Sequence, residues 1–156
     1  MHFHLENIMK KVNLLCVGKI KEKYLRDGIE EYAKRLSRFC SFSEIQLPDI
    51  SGEDEVKRES DDILSKIKGY VILCDIDGKQ LSSEQISQTM DKAYLTNSEI
   101  TFIIGGSRGV DERVKSRADL RLSFGKATLP HQLMRLVLTE QIYRAFNISE
   151  NTPYHK

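Results

Sequence analysis

Residues 122–146 read LSFGKATLPHQLMRLVLTEQIYRAF. A short apolar segment runs into a loop with Gly125 and Pro130, and the loop runs into a helix that is apolar on more than one side. Met134, Leu138, Ile142 and Ala145 form one stripe; Leu133, Leu136 and Val137 form another, and Phe146 follows. A helix apolar nearly all round is buried on several sides. In a small domain one face meets a sheet. The other is expected to meet a second subunit, two-fold dimers being the commonest assembly. Glu140 and Arg144 are spaced to pair along the helix. Arg135 stands inside the apolar run. His131, with no neighbouring carboxylate to orient it, reads as structural.

Working upstream, the chain alternates strand and helix. Val12–Val17 is an apolar run ended by Gly18, and residues 21–38 carry Leu25, Ile29, Tyr32, Ala33 and Leu36 at helical spacing. Phe42–Leu47 reads as a second strand, stopped by Pro48. A polar linker then leads to a helix over Val56–Ile67. Tyr70–Ile76 is a third strand, which the Asp77-Gly78 turn signal is expected to close. Ser82, Ser83 and Glu84 suit the start of a helix ending near Tyr94. Ile100–Ile104 is a fourth strand, followed by GGSRG, a short helix that Asp111 caps, and a fifth strand within ADLRLSF. Pro130 suits the start of the last helix, whose body is Leu133–Phe146. This order predicts an α/β fold: a mostly parallel sheet with helices on both faces.

The chain has 156 residues, enough for one domain with a sizeable core. Residues 1–8 read as an extension and residues 9–156 as the domain. Its 24 basic residues nearly cancel 23 acidic ones, so a nucleic-acid partner would have to be held by a local patch. No apolar run approaches a membrane span. Cys16, Cys40 and Cys74 are widely spaced, read as reduced thiols of a cytoplasmic protein, with Cys16 and Cys74 in the core. His2 and His4 lack a third ligand, so no metal site is expected.

The glycine loop after Ile104 lies where open parallel sheets bind ligands, beside the end of the third strand. It lacks the spacing of a dinucleotide fingerprint and the Lys of a phosphate-gripping loop, which argues against an oxidoreductase. Asp75, Asp77 and Gly78 fail as a calcium loop, because the twelfth position is Ile86. No motif for a covalent nucleophile is present. The segment NTPYHK, residues 151–156, reads either as solvated tail or as a segment held over something.

Taken together, GGSRG, the 122–146 stretch, PYHK and the opening VGKIKEKYLRDGIEEYAKRLSRF resemble the ribosomal RNA large subunit methyltransferase H family, of the SPOUT class. The likeness runs from about Met9 to Lys156. It implies a C-terminal trefoil knot, a homodimer packed through knot helices, and S-adenosylmethionine as methyl donor. It implies that the donor meets Leu73, Gly105 and the stretch Phe124, Gly125, Lys126, Ala127, Thr128 and Leu129. The implied reaction is N3 methylation of a pseudouridine in large-subunit rRNA on assembled ribosomes. By the same resemblance the tail crosses the partner's donor pocket, with Tyr154, His155 and Arg135 as the catalytic candidates and Lys156 meeting phosphate. Gly125, Ala127 and Leu129 stand where relatives carry Ser, Met and Phe, which loosens the expected side-chain packing around the adenine. The rival readings are a silent ribosome-binding module on this fold and a related methyltransferase with another RNA target.

Overall fold

The structure, a computed structural model, describes residues 9–155. The extension with His2 and His4, and Lys156, lie outside the described residues. The elements in order are β1 (Lys10–Val17), α1 (Lys23–Leu36), β2 (Cys40–Leu47), α2 (Glu55–Lys66) and β3 (Tyr70–Gln80). Next come α3 (Ser83–Tyr94), β4 (Glu99–Ile104), α4 (Glu112–Arg117), β5 (Leu120–Ser123) and α5 (His131–Ser149). The five strands form one sheet in the order β2-β1-β4-β3-β5, with every pairing parallel.

Alternation along β1 explains the layers. Val12, Leu14 and Cys16 face a core shared with Leu36 of α1, Ile86 and Met90 of α3, and Leu138 and Ile142 of α5. Leu15 and Val17 face a second core with Ile63 of α2 and Val114 of α4. Side chains on a strand point to opposite faces in turn, so both faces of the sheet are covered. Crossovers between parallel strands bring the carboxyl ends of all five strands to one edge, and the loops gather there.

Several expectations change in detail. β3 does not close at Asp77-Gly78. It runs on to Gln80, with a register shift against β5 between Cys74 and Lys79. The turn signal acts locally: Asp77 N–H donates to Asp75 Oδ1 at 3.0 Å and kinks the strand. Gly78 lets β5 approach, since a Cβ there would stand 2.5 Å from the Arg121 carbonyl oxygen. Helix α5 begins at His131 and extends to Ser149, with Pro130 as its N-cap. Cys40 is buried with Cys16, whereas Cys74 is half-buried. Burial pushes the Cys16 and Cys40 thiols up to about 12, so neither is a nucleophile.

The second apolar stripe of α5 is mostly used within the chain. Leu133 and Leu136 pack on Ile20, Leu25 and Ile29. Met134 and Val137 are left half-buried.

Candidate functional site

At the carboxyl ends of β3, β4 and β5 the loops enclose a cleft of about 340 Å³. Leu73 and Gly105 line it, as do Phe124, Gly125, Ala127, Thr128 and Leu129; Lys126 does not. The structure therefore brings together seven of the eight residues expected to meet a methyl donor. Sequence reasoning missed Asp75, Ile76, Arg108, Val110 and Met134, and took His131 as structural although it lines the same cleft. The signal for Asp75 and Ile76 was their closeness to Leu73 on β3, beside the glycine loop. Arg108 and Val110 come from the loop after β4, and His131 and Met134 from the first turn of α5, whose path over the cleft the sequence does not reveal.

The cleft suits a nucleoside with a charged side arm. Its walls are Leu73, Ile104, Phe124 and Leu129 for an aromatic base, with main-chain groups of the loops around them. Asp75 adds a carboxylate, held by the Asp77 N–H and by Arg121 Nη1 at 3.2 Å. At Gly125 φ is +123°, a conformation that L side chains rarely adopt, and no atom lies within 4 Å of where a Cβ would stand. The space beside Gly125 is open.

The tail occupies a different place. α5 ends at Ser149, and Asn151 turns the chain with φ +57°. Thr152 N–H donates to the Asn147 carbonyl at 2.9 Å, so the chain doubles back along α5. Tyr154 packs edge-on against Tyr143, with ring centroids 4.7 Å apart, and its hydroxyl donates to Glu140 Oε2 at 2.7 Å. Arg144 binds the same carboxylate at 2.7 Å and lies 4.9 Å over the Tyr154 ring. Its Nη1 meets His155 Nδ1 at 2.9 Å, while His155 Nε2 meets Glu84 Oε1 of α3.

The electrostatics follow from these contacts. Burial, then the hydrogen bond to Glu140, pushes the Tyr154 phenol up, so it stays protonated. The hydrogen bond to His155 holds the Glu84 carboxyl below the usual range. Glu140 raises Arg144 further.

Arg135 stands apart from both. It is fully buried, and its Nη2 donates to the Gly18 carbonyl at 2.9 Å, while Nε and Nη1 have no partner among the described residues. Nine residues separate it from Arg144, about two and a half helical turns, so the two point to opposite sides of α5. The structure brings Tyr154 and His155 together with Arg144, Glu140 and Glu84, not with Arg135. The sequence reading saw the Glu140–Arg144 pair but not its use. For Glu84 no local signal existed, because His155 meets it from 71 residues away.

Among the described residues no helix is long and apolar enough to cross a membrane, and no group of three or more His, Cys, Asp or Glu could hold a metal ion.

The family model described as "Predicted SPOUT methyltransferase" matches residues 9–155. The ribosomal RNA large subunit methyltransferase H of Streptococcus uberis is 53% identical, with 94% of this chain and 99% of the relative aligned. Those of Streptococcus suis and Streptococcus pyogenes are each 52% identical over the same shares. The chain belongs to the ribosomal RNA large subunit methyltransferase H family of the SPOUT methyltransferases.

Proposed function

We propose that the protein uses S-adenosylmethionine to methylate N3 of a pseudouridine in 23S rRNA, the nucleotide conventionally numbered 1915, on assembled ribosomes in the cytoplasm. The observation that carries this reading is the convergence of Leu73, Gly105 and the 124–129 loop on one cleft at the sheet's carboxyl edge. Bound there, the donor supplies an electrophilic methyl group on a sulfonium.

The chain's own residues do the rest. The apolar walls and loop main chain fix the donor's orientation, and holding reacting atoms about 3–3.5 Å apart supplies several kcal/mol of the barrier reduction. N3 of the base begins as a weakly acidic N–H, so a group must accept its proton. Tyr154, held protonated, stacks on or hydrogen-bonds the base. His155 is the proton acceptor, and Lys156 meets a backbone phosphate. Arg135 fixes the start of α5 against the turn after β1.

Tyr154 and His155 do not line their own chain's cleft. The proposal therefore includes a homodimer in which each tail faces the other subunit's donor, with Met134 and Val137 of α5 in the contact and a trefoil knot shaping residues 105–130.

The test is methyl transfer to ribosomes with and without the pseudouridine, followed by mapping of the modified atom. Transfer to N3 only where the pseudouridine is present supports the reading. A chain that binds no donor by calorimetry is a silent binding module. A chain that binds donor yet leaves ribosomes unmodified has another RNA target. Deleting Tyr154–Lys156 should leave donor binding measurable and abolish transfer; unchanged turnover refutes a catalytic tail.

A further inference from the structure

Arginine can only donate hydrogen bonds. Where Arg144 Nη1 meets His155 Nδ1 at 2.9 Å, Nδ1 must therefore carry the lone pair. The ring hydrogen is then on Nε2, where it points at Glu84 Oε1. These two contacts select one tautomer from the two open to a neutral imidazole.

Glu84 reaches His155 from the first turn of α3, where its carboxylate also meets its own N–H and the Ser82 side chain. It lies at the second position of α3, and the helix cap is complete without it: Ser82 Oγ accepts from Gln85 N–H at 3.1 Å, and Gln85 Oε1 accepts from Ser82 N–H at 2.8 Å. The charged and titratable groups facing the imidazole are Glu84 from α3 and Arg144 from α5. Glu140 and Tyr154 stand one contact further away.

We propose that Glu84 is a positioning residue that holds His155 by Nε2–H and so makes Nδ1 the atom that accepts the proton from the RNA base. This rests on the methyltransferase reading given above. In the observed pose Arg144 covers Nδ1, so the base is masked. When Arg144 turns to a phosphate of the RNA, Nδ1 is uncovered with its partner carboxylate still behind the ring. The proton of N3–H then passes to Nδ1, and the electron pair it leaves forms the bond from N3 to the methyl carbon. The donor's sulfur keeps the pair of the broken S–C bond. Positive charge moves from sulfonium to imidazolium, and the adjacent Glu84 carboxylate stabilises it there. Solvent then removes the proton.

Nitrogen-15 NMR of the full chain, labelled at histidine and assigned with a His155→Gln control, reads the tautomer. In the wild type the hydrogen should sit on Nε2 alone. Arg144 alone already favours this tautomer, so the spectrum is read on an Arg144→Ala background: there the hydrogen should stay on Nε2, and adding Glu84→Ala should give a mixture of tautomers. In the chain that keeps Arg144, Glu84→Ala should lower kcat on ribosomes about tenfold to a hundredfold, with donor KM within about twofold. Glu84→Gln, whose amide oxygen still accepts from Nε2–H, should restore the single tautomer on that background and most of the rate in the chain with Arg144. Thermal unfolding of each variant separates positioning from folding. A wild-type hydrogen on Nδ1, a single tautomer when Glu84 and Arg144 are both replaced, or a Glu84→Ala chain with unaltered kcat overturns the proposal. A wild-type chain that leaves ribosomes unmethylated overturns the base role with the ribosomal reading; the tautomer result decides the positioning role separately.

Discussion

The cleft and the platform that carries the tail are made of different parts of the chain. The cleft is shaped by loops at the ends of β3, β4 and β5, with apolar walls and a glycine-rich main chain. The platform on α5 is a network of charged and aromatic side chains: Glu140, Arg144, Tyr154 and His155, with Glu84 from α3. A site built largely from main chain tolerates exchange of a side chain such as Ala127, provided that the loop keeps its path. A side-chain network does not, because each group defines the state of the next. Binding and chemistry are therefore expected to fail separately.

Removing Arg144 should give the largest separation. Arg144→Ala uncovers Nδ1 but leaves Glu140 without its ion-pair partner and the RNA phosphate without a guanidinium, and methyl transfer to ribosomes should fall about 100-fold or more. Donor affinity, measured by calorimetry, should stay within about threefold. An equal fall in both quantities would erase the distinction between the two regions.

The reverse separation should come from Gly125→Val. A β-branched residue at that positive φ is strained by about 1–3 kcal/mol and fills the open side of the loop. Donor affinity should drop about tenfold or more. NMR shifts of the Tyr154 ring should not move.

Gly78→Ala sharpens the comparison by loosening the cleft's edge without touching its lining. A Cβ at 2.5 Å from the Arg121 carbonyl forces β3 and β5 apart. We expect a loss of about 1–3 kcal/mol in urea unfolding, with a smaller fall in donor affinity than at Gly125.

The smallest effect is in pH. The Tyr154 phenol is raised above its ordinary value of 10.0, so docking of the tail favours the protonated form. That contribution is fully present below about pH 10 and is lost as pH rises through the higher docked value. Glu84 has the opposite sign: it is lowered from 4.5, and its contribution is lost as pH falls through the depressed value. Tyr154 ring resonances followed against pH should report release at both extremes, while donor binding at the alkaline end outlasts the docked tail.

The same contrast explains what the sequence made legible. Strand–helix alternation and the apolar runs of β1, β3 and β4 specify a parallel sheet, because burial on both faces leaves a local pattern. The donor residues came from the resemblance, and they also sit at strand ends, where such sheets bind ligands. Asp77-Gly78 was read as a turn that closes the strand, but whether such a signal ends it depends on β5, more than forty positions away. Arg135 was conspicuous inside an apolar run, yet helical phase turns it towards Gly18 and away from the tail. Glu84 and Arg144 gain their meaning only once the chain has doubled back, and no local periodicity encodes that return.

The strand order carries a kinetic consequence. β1 lies between β2, its neighbour in sequence, and β4, with Asn13 and Thr101 in contact across 88 residues. During synthesis β1 can pair with β2 early, but its other edge stays open until most of the chain has been made. Closing so long a loop delays completion of the sheet, and the apolar edge of β1 is meanwhile exposed to foreign strands. Overproduction should therefore be limited by aggregation of nascent chains more than by the stability of the finished molecule.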